Sequence, residues 1–184
     1  MKKLNGYSMD LKQHNIDNLK QIFPEVFIED KIDFNKLRLA LGENIDDSND
    51  RYEFKWNGKN DAIKLAQIPS SGTLRPHKES SKNWSSTENV YIEGDNLEVL
   101  KLLQKGYFNK IRTIYIDPPY NTGKDFVYKD NFRDNIKNYL EQTNQTKKAN
   151  TESNGRYHTD WLNMMYPRLK LAKNLLCDEG IIYI

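Results

Sequence analysis

The chain has 184 residues, 37% hydrophobic and 29% charged, a polar composition that excludes a membrane-embedded class and suits one domain or one and a half. No apolar run approaches the roughly 18 residues of a membrane span, the basic start Met1-Lys2-Lys3 turns polar too soon for a signal peptide, and the single cysteine, Cys177, excludes internal disulfides. These features fit a cytoplasmic protein, and the net charge of +2 is small for a strong nucleic-acid binder, so any such contact would be local or lie in a part of the protein not present here.

Residues from about Met9 to Phe23 read as a helix, with Ile16, Leu19 and Phe23 on one face and Pro24 as its stop. Asp33 is placed to cap a second helix through Leu41, carrying Phe34, Leu37 and Leu41 inward, with Gly42 at the C-terminal cap. An acidic linker follows from Asn44 to Asp50. Tyr52 to Trp56 alternates like a strand, Asn57-Gly58 is a turn signal, and Asp61 to Gln67 suits a short helix. Pro69 to Ser86, rich in Ser, Pro and Lys, reads as a loop joining two regions. The expected organisation is therefore a mostly helical region over 1–68, a linker over 69–86, and an α/β domain over 87–184.

In that last region Val90-Tyr91-Ile92 reads as a strand, Gly94-Asp95-Asn96 as a turn, and Leu97 to Lys105 as a helix that Gly106 ends. This helix would turn Leu97, Leu100 and Leu102 or Leu103 inward. Ile111 to Ile116 is a second strand, and strand, helix, strand in this order predicts a βαβ unit with a parallel sheet. Glu141 to Gly155 holds almost nothing that could be buried and reads as a loop. Thr159 or Asp160 then caps a helix with Trp161, Met165, Leu169, Ala172 and Leu176 on one stripe, which Pro167 kinks or divides. Asp178-Glu179-Gly180 is a turn into Ile181 to Ile184, a buried-strand pattern in which the sequence stops. A complete domain rarely stops in a strand, so a truncated domain is expected.

Asp117-Pro118-Pro119-Tyr120 is the stretch that carries chemistry. It follows a predicted parallel strand, at the carboxyl end where open α/β sheets bind ligands. The exocyclic amine of a nucleobase is a weak nucleophile because its lone pair is delocalised into the ring. Two acceptors can hold its two N–H bonds and favour a more pyramidal nitrogen. Asp117 offers a carboxylate and the Pro118 carbonyl a second acceptor, while two prolines keep the turn rigid and bring no N–H of their own. Tyr120 offers a flat face for an extruded base. The competing structural reading is a tight Pro-Pro turn with an aromatic packed behind it. Asp95, on a turn after a strand, is suited either to accept from a nucleoside hydroxyl or to cap the helix at Leu97. Lys124, Lys129 and Arg133 interleave with Phe126, Tyr128 and Phe132, either as a phosphate-tracking strip or as an ordinary solvated surface. Trp161, Met164 and Met165 read as core, and Cys177 as a small residue buried or half-buried. His14, His77 and His158 are too far apart for zinc-type spacing.

Asp117 to Gly123 resembles the catalytic motif of DNA amino-methyltransferases. Asn83-Trp84, Thr87 to Leu100 and Gly155 to Leu169 resemble, more particularly, the modification subunits of type III restriction–modification systems. The resemblance runs from about Tyr52 to the end, with a weaker likeness over the first fifty residues. It implies an α/β, Rossmann-like methyltransferase fold that uses S-adenosyl-L-methionine, of the circularly permuted class in which the catalytic motif precedes the glycine loop. It implies adenine-N6 methylation of double-stranded DNA, with Asp117, Pro118, Pro119 and Tyr120 as catalytic residues and Asp95 at the cofactor. It also implies a homodimer of modification subunits joined by a restriction subunit, with no membrane association. None of the nine glycines forms a G-x-G pair, so the grip on the methionine end of the cofactor would lie in the lost part, and the chain alone is expected to be inactive. The rival reading is a non-catalytic remnant or partner-binding module from a split or frameshifted gene.

Overall fold

The computed structural model describes residues 6–42, 53–121 and 157–184. The chain divides into two compact units, Asp10–Lys55 and a larger one formed by Met1–Met9 with Trp56–Ile184.

In the smaller unit, α1 (Leu11–Ile22) starts where the Asp10 carboxylate accepts from the Gln13 N–H at 2.9 Å. Pro24 ends it and opens a single 3-10 turn, Pro24–Val26, that buries Val26. A two-residue hairpin follows, β1 (Phe27–Ile28) and β2 (Lys31–Ile32). Glu29 and Asp30, with φ of 49° and 62°, supply the two left-handed positions that such a tight turn needs. Asp33 caps α2 (Phe34–Leu41) through the N–H groups of Asn35 and Lys36, and Gly42 closes it with φ of 61°. The expected inward face of α2 is corrected: Phe34 is 74% exposed and Leu41 is also exposed, while Leu37 alone of the three is half-buried. The short turn at Pro24–Val26 packs on α2, and an element of only three residues leaves Phe34 and Leu41 uncovered.

The larger unit is built on α5 (Tyr157–Leu175), against which α3 (Lys59–Gln67) and α4 (Asn96–Tyr107) both pack. Contact from two helices explains why α5 is buried over a wider arc than a single stripe: Met164, Met165, Leu171, Ala172 and Leu175 are all in the core, with Ala62, Leu65 and Ala66 of α3 and Leu97 of α4. α3 packs here, and it belongs to the larger unit. Pro167 lies fully buried inside one continuous helix, so the expected division does not occur.

Two parallel strands, β3 (Ile111–Tyr115) and β4 (Leu176–Tyr183), form the sheet, with Thr113 opposite Ile181 and Tyr115 opposite Tyr183. Between the Ile111–Leu176 and Thr113–Ile181 pairs, β3 advances two residues and β4 five. The predicted turn Asp178-Glu179-Gly180 is this bulge. A Cβ on Gly180 would lie 2.9 Å from the Cys177 carbonyl oxygen and 3.0 Å from that of Ile111, so the bulge requires glycine.

The βαβ unit therefore exists one element later than expected, as β3, α5, β4. Val90 to Ile92 is not a strand: among the described residues nothing pairs with it, and Val90 and Tyr91 are 72% and 89% exposed. A β pattern becomes a strand only beside a partner backbone. Residues 53–56 likewise form no strand, and Tyr52 lies outside the described residues. Trp56 instead docks on α5, its Nε1 donating to Asn163 Oδ1 at 2.7 Å and its ring 5.6 Å from that of Tyr166. Gly106 lies within α4, which runs on to Tyr107. The buried face of α4 is Leu97, Lys101 and Gln104, with Leu100, Leu102 and Leu103 half-buried. No described helix is long and apolar enough to cross a membrane.

Candidate active site

The last rung of the parallel ladder is the Ile116 N–H donating to the Tyr183 carbonyl at 3.0 Å. Beyond it, residues 117–121 leave the sheet at the carboxyl end of β3. Pro118 and Pro119 have no N–H, and among the described residues no backbone N–H from 117–121 donates to another backbone carbonyl. Side chains hold the turn instead. The Tyr120 hydroxyl donates to Asp117 Oδ1. The indole Nε1 of Trp161 donates to the Pro119 carbonyl at 2.6 Å. Nδ2 of Asn121 lies 3.0 Å from Nδ1 of His158, a donor–acceptor pair when the imidazole carries its proton on Nε2. Asn121 has φ of 61°, a left-handed position that asparagine tolerates better than most residues.

This arrangement leaves specific groups open. Among the described residues no donor engages the Pro118 carbonyl. Asp117 is exposed, and its second oxygen and remaining lone pairs stay available. Tyr120 is 68% exposed and so is not packed behind the turn. Asp117, Pro118, Pro119 and Tyr120 thus form one compact group that presents two acceptors and an aromatic face, which can hold an amine-bearing planar ring.

Asp95 is half-buried and caps α4, its Oδ1 accepting from the Glu98 N–H at 3.0 Å. Its other oxygen accepts from no described residue. The next residue, Asn96, accepts through Oδ1 from Arg168 Nε at 2.7 Å, and Arg168 Nη1 donates to the Met164 carbonyl at 2.7 Å. Arg168 is buried, so these bonds replace the water it has lost. No hydrogen bond joins Asp95 to the 117–121 turn among the described residues, but both are anchored to α5, through Arg168 and Trp161.

Trp161 was expected in the core and is instead half-buried with a structural hydrogen bond. An indole N–H requires a partner when it is buried, which was the available signal. The pairing of Arg168 with Asn96 and that of Asn121 with His158 are not legible in the sequence. Cys177 is half-buried. Lys124, Phe126, Tyr128, Lys129, Phe132, Arg133, Lys147 and Lys148, and the stretch from Glu141 to Gly155, lie outside the described residues. Among the described residues no group of three His, Cys, Asp or Glu side chains could hold a metal ion.

Residues 111–184 match the DNA methylase family of N6 and N4 enzymes. Over 183 residues the chain is 36% identical to the type III restriction-modification enzyme EcoPI Mod subunit of Escherichia phage P1, covering 90% of this chain. It is 37% identical over 190 residues, 92% of the chain, to the StyLTI Mod subunit of Salmonella typhimurium. It is also 37% identical over 100 residues to the type II methyltransferase M.KpnI of Klebsiella pneumoniae, covering 54% of the chain. The chain spans 27% of the length of the EcoPI subunit and 29% of the StyLTI subunit.

Proposed function

We propose, from the premise that this chain is related to type III modification subunits and carries part of a DNA methylase domain, that it forms the amine-binding side of a DNA adenine-N6 methyltransferase. The reaction is methyl transfer to N6 of an adenine rotated out of double-stranded DNA. The observation that carries this reading is the turn at 117–121, with an open carboxylate, an open carbonyl and an exposed ring at the carboxyl end of a parallel strand.

Asp117 and the Pro118 carbonyl accept the two N–H bonds of the adenine amine. This reduces conjugation of its lone pair with the ring and fixes the direction in which that pair points. Tyr120 stacks on the base, which compensates part of the unstacking cost of a few kcal/mol. Asp117, already bonded to the Tyr120 hydroxyl, is suited to hold positive charge that builds on the nitrogen as the new bond forms. By analogy with the DNA amino-methyltransferases the motif resembles, Asp rather than Ser before the prolines favours adenine-N6 over cytosine-N4.

S-adenosyl-L-methionine supplies the electrophilic methyl group when bound. The half-buried Asp95 carboxylate, with one oxygen capping α4 and the other open, fits a hydroxyl of its nucleoside. The nine glycines form no G-x-G pair, so this chain is suited to the nucleoside end and not to the methionine end. That order, catalytic turn before any glycine loop, is the circularly permuted arrangement. The whole enzyme would be cytoplasmic, would act as a homodimer of modification subunits, and would join a restriction subunit.

The test is transfer of labelled methyl groups to unmethylated DNA. The chain is combined with the remaining three quarters of a Mod subunit, with and without Asp117→Ala. Methylation that depends on Asp117 is the expected result. Full methylation by Asp117→Ala would refute the assignment.

A further inference from the structure

We infer that Trp161 is a positioning residue of this site, an inference that rests on the function proposed above: its indole N–H sets the direction of the Pro118 carbonyl. After Ile116 the ladder ends, and the two prolines deprive the turn of the N–H groups with which a loop usually bonds itself. The Pro119 carbonyl is instead fixed from α5 by Trp161 Nε1 at 2.6 Å. Proline φ angles are confined near −65°, so fixing the Pro119 peptide leaves the Pro118 carbonyl little freedom to turn. Trp161 thereby separates the two acceptors. It occupies Pro119 and leaves Pro118, next to Asp117, as the open one.

The second anchor, Asn121 with His158, lies one helical turn earlier on α5 and holds the far end of the same segment. A tryptophan serving only as packing would be indifferent to loss of its N–H. Trp161 is half-buried, and its polar tip is directed at the turn rather than at solvent.

The test uses the 184-residue chain in solution. In the unmutated chain the Trp161 indole proton should exchange with solvent more slowly than a free indole; free-indole exchange would overturn the proposal without any variant. In Trp161→Phe, backbone order at Tyr120 and Asn121 should fall from about 0.85 towards 0.6 or less by nitrogen relaxation, while β3, β4 and the rest of α5 keep theirs. Unchanged order at Tyr120 and Asn121, or a loss spread through the sheet and α5, would overturn it. In the combined enzyme, Trp161→Phe should lower kcat by about ten- to a hundredfold with KM for DNA unchanged. A wild-type kcat would overturn the positioning role, whereas full activity of Asp117→Ala would refute the proposed function and leave the loop-order result standing.

Discussion

The Tyr120 hydroxyl donates to Asp117 Oδ1 across the two prolines that separate them. The ring that would receive a base and the carboxylate that would receive its amine are therefore coupled before any substrate arrives. Part of the acceptor capacity of Asp117 is already used, and the ring remains exposed.

This coupling separates the expected effects of three substitutions in the reconstituted enzyme. Asp117→Ala should lower kcat by roughly a hundredfold or more, the scale seen when one preorganised polar group is removed from a reacting centre. DNA affinity should stay nearly intact, since phosphate contacts dominate it. Tyr120→Ala should weaken capture of the base by about 1–3 kcal/mol as well as slow turnover. Tyr120→Phe keeps the stacking face, frees Asp117, and should retain substantial activity. Methylation rates and DNA titrations on all three check this; a Tyr120→Phe enzyme as inactive as Tyr120→Ala would make the hydroxyl, and not the ring, the essential part.

Asp95 has a cap role that can be held constant while its charge is changed. Asp95→Asn should leave the midpoint of thermal unfolding nearly unchanged, because asparagine caps as well as aspartate, whereas Asp95→Ala should cost about 0.5–2 kcal/mol. In the combined enzyme Asp95→Asn should weaken S-adenosylmethionine binding, measured by calorimetry. Equal affinity for both versions would reduce Asp95 to its cap.

The 184-residue chain by itself should transfer few or no methyl groups, since its sequence contains no G-x-G loop for the methionine end of the cofactor. Robust incorporation of label by the purified chain would contradict this.

Gly58 gives a stability prediction independent of catalysis. Its φ is 90°, and an added Cβ would lie 2.5 Å from Asn163 Nδ2, the group that donates to the Asn57 carbonyl at 3.2 Å. Gly58→Ala should therefore both strain the backbone and displace the clamp between this turn and α5, at a cost of more than about 1 kcal/mol. Urea unfolding measures it, and an unchanged midpoint would mean that the turn is not held as described.

What was legible in the sequence was local. The cap at Asp33, the stops at Pro24 and Gly42, and the strand delivering Asp117 depend on neighbours a few residues away. What was not legible depended on distant partners. Val90 to Ile92 has a strand pattern, but a pattern does not supply the second backbone. Phe34 and Leu41 have helical spacing, but the spacing does not say how much surface is available to cover them. In the 117–121 turn, the sequence pointed to Asp117 to Tyr120 as a candidate site but not to what steadies them, because Trp161 and His158 come some forty residues later. Trp161 matched an apolar stripe, and its polar nitrogen was the feature that distinguished it.

Trp161 and Arg168 are seven residues apart on α5. Seven residues are almost two full turns, so the two side chains leave the same side of the helix roughly 10 Å apart along its axis. One holds the Pro119 carbonyl and the other holds Asn96, next to Asp95. Under the function proposed above, the helix acts as a ruler between the two ends of the reaction: its pitch sets how far the proposed amine acceptors stand from Asp95. Inserting or deleting a single residue between Trp161 and Arg168 would rotate one anchor by about 100° and throw the two half-sites out of register, although every group named in the chemistry would still be present.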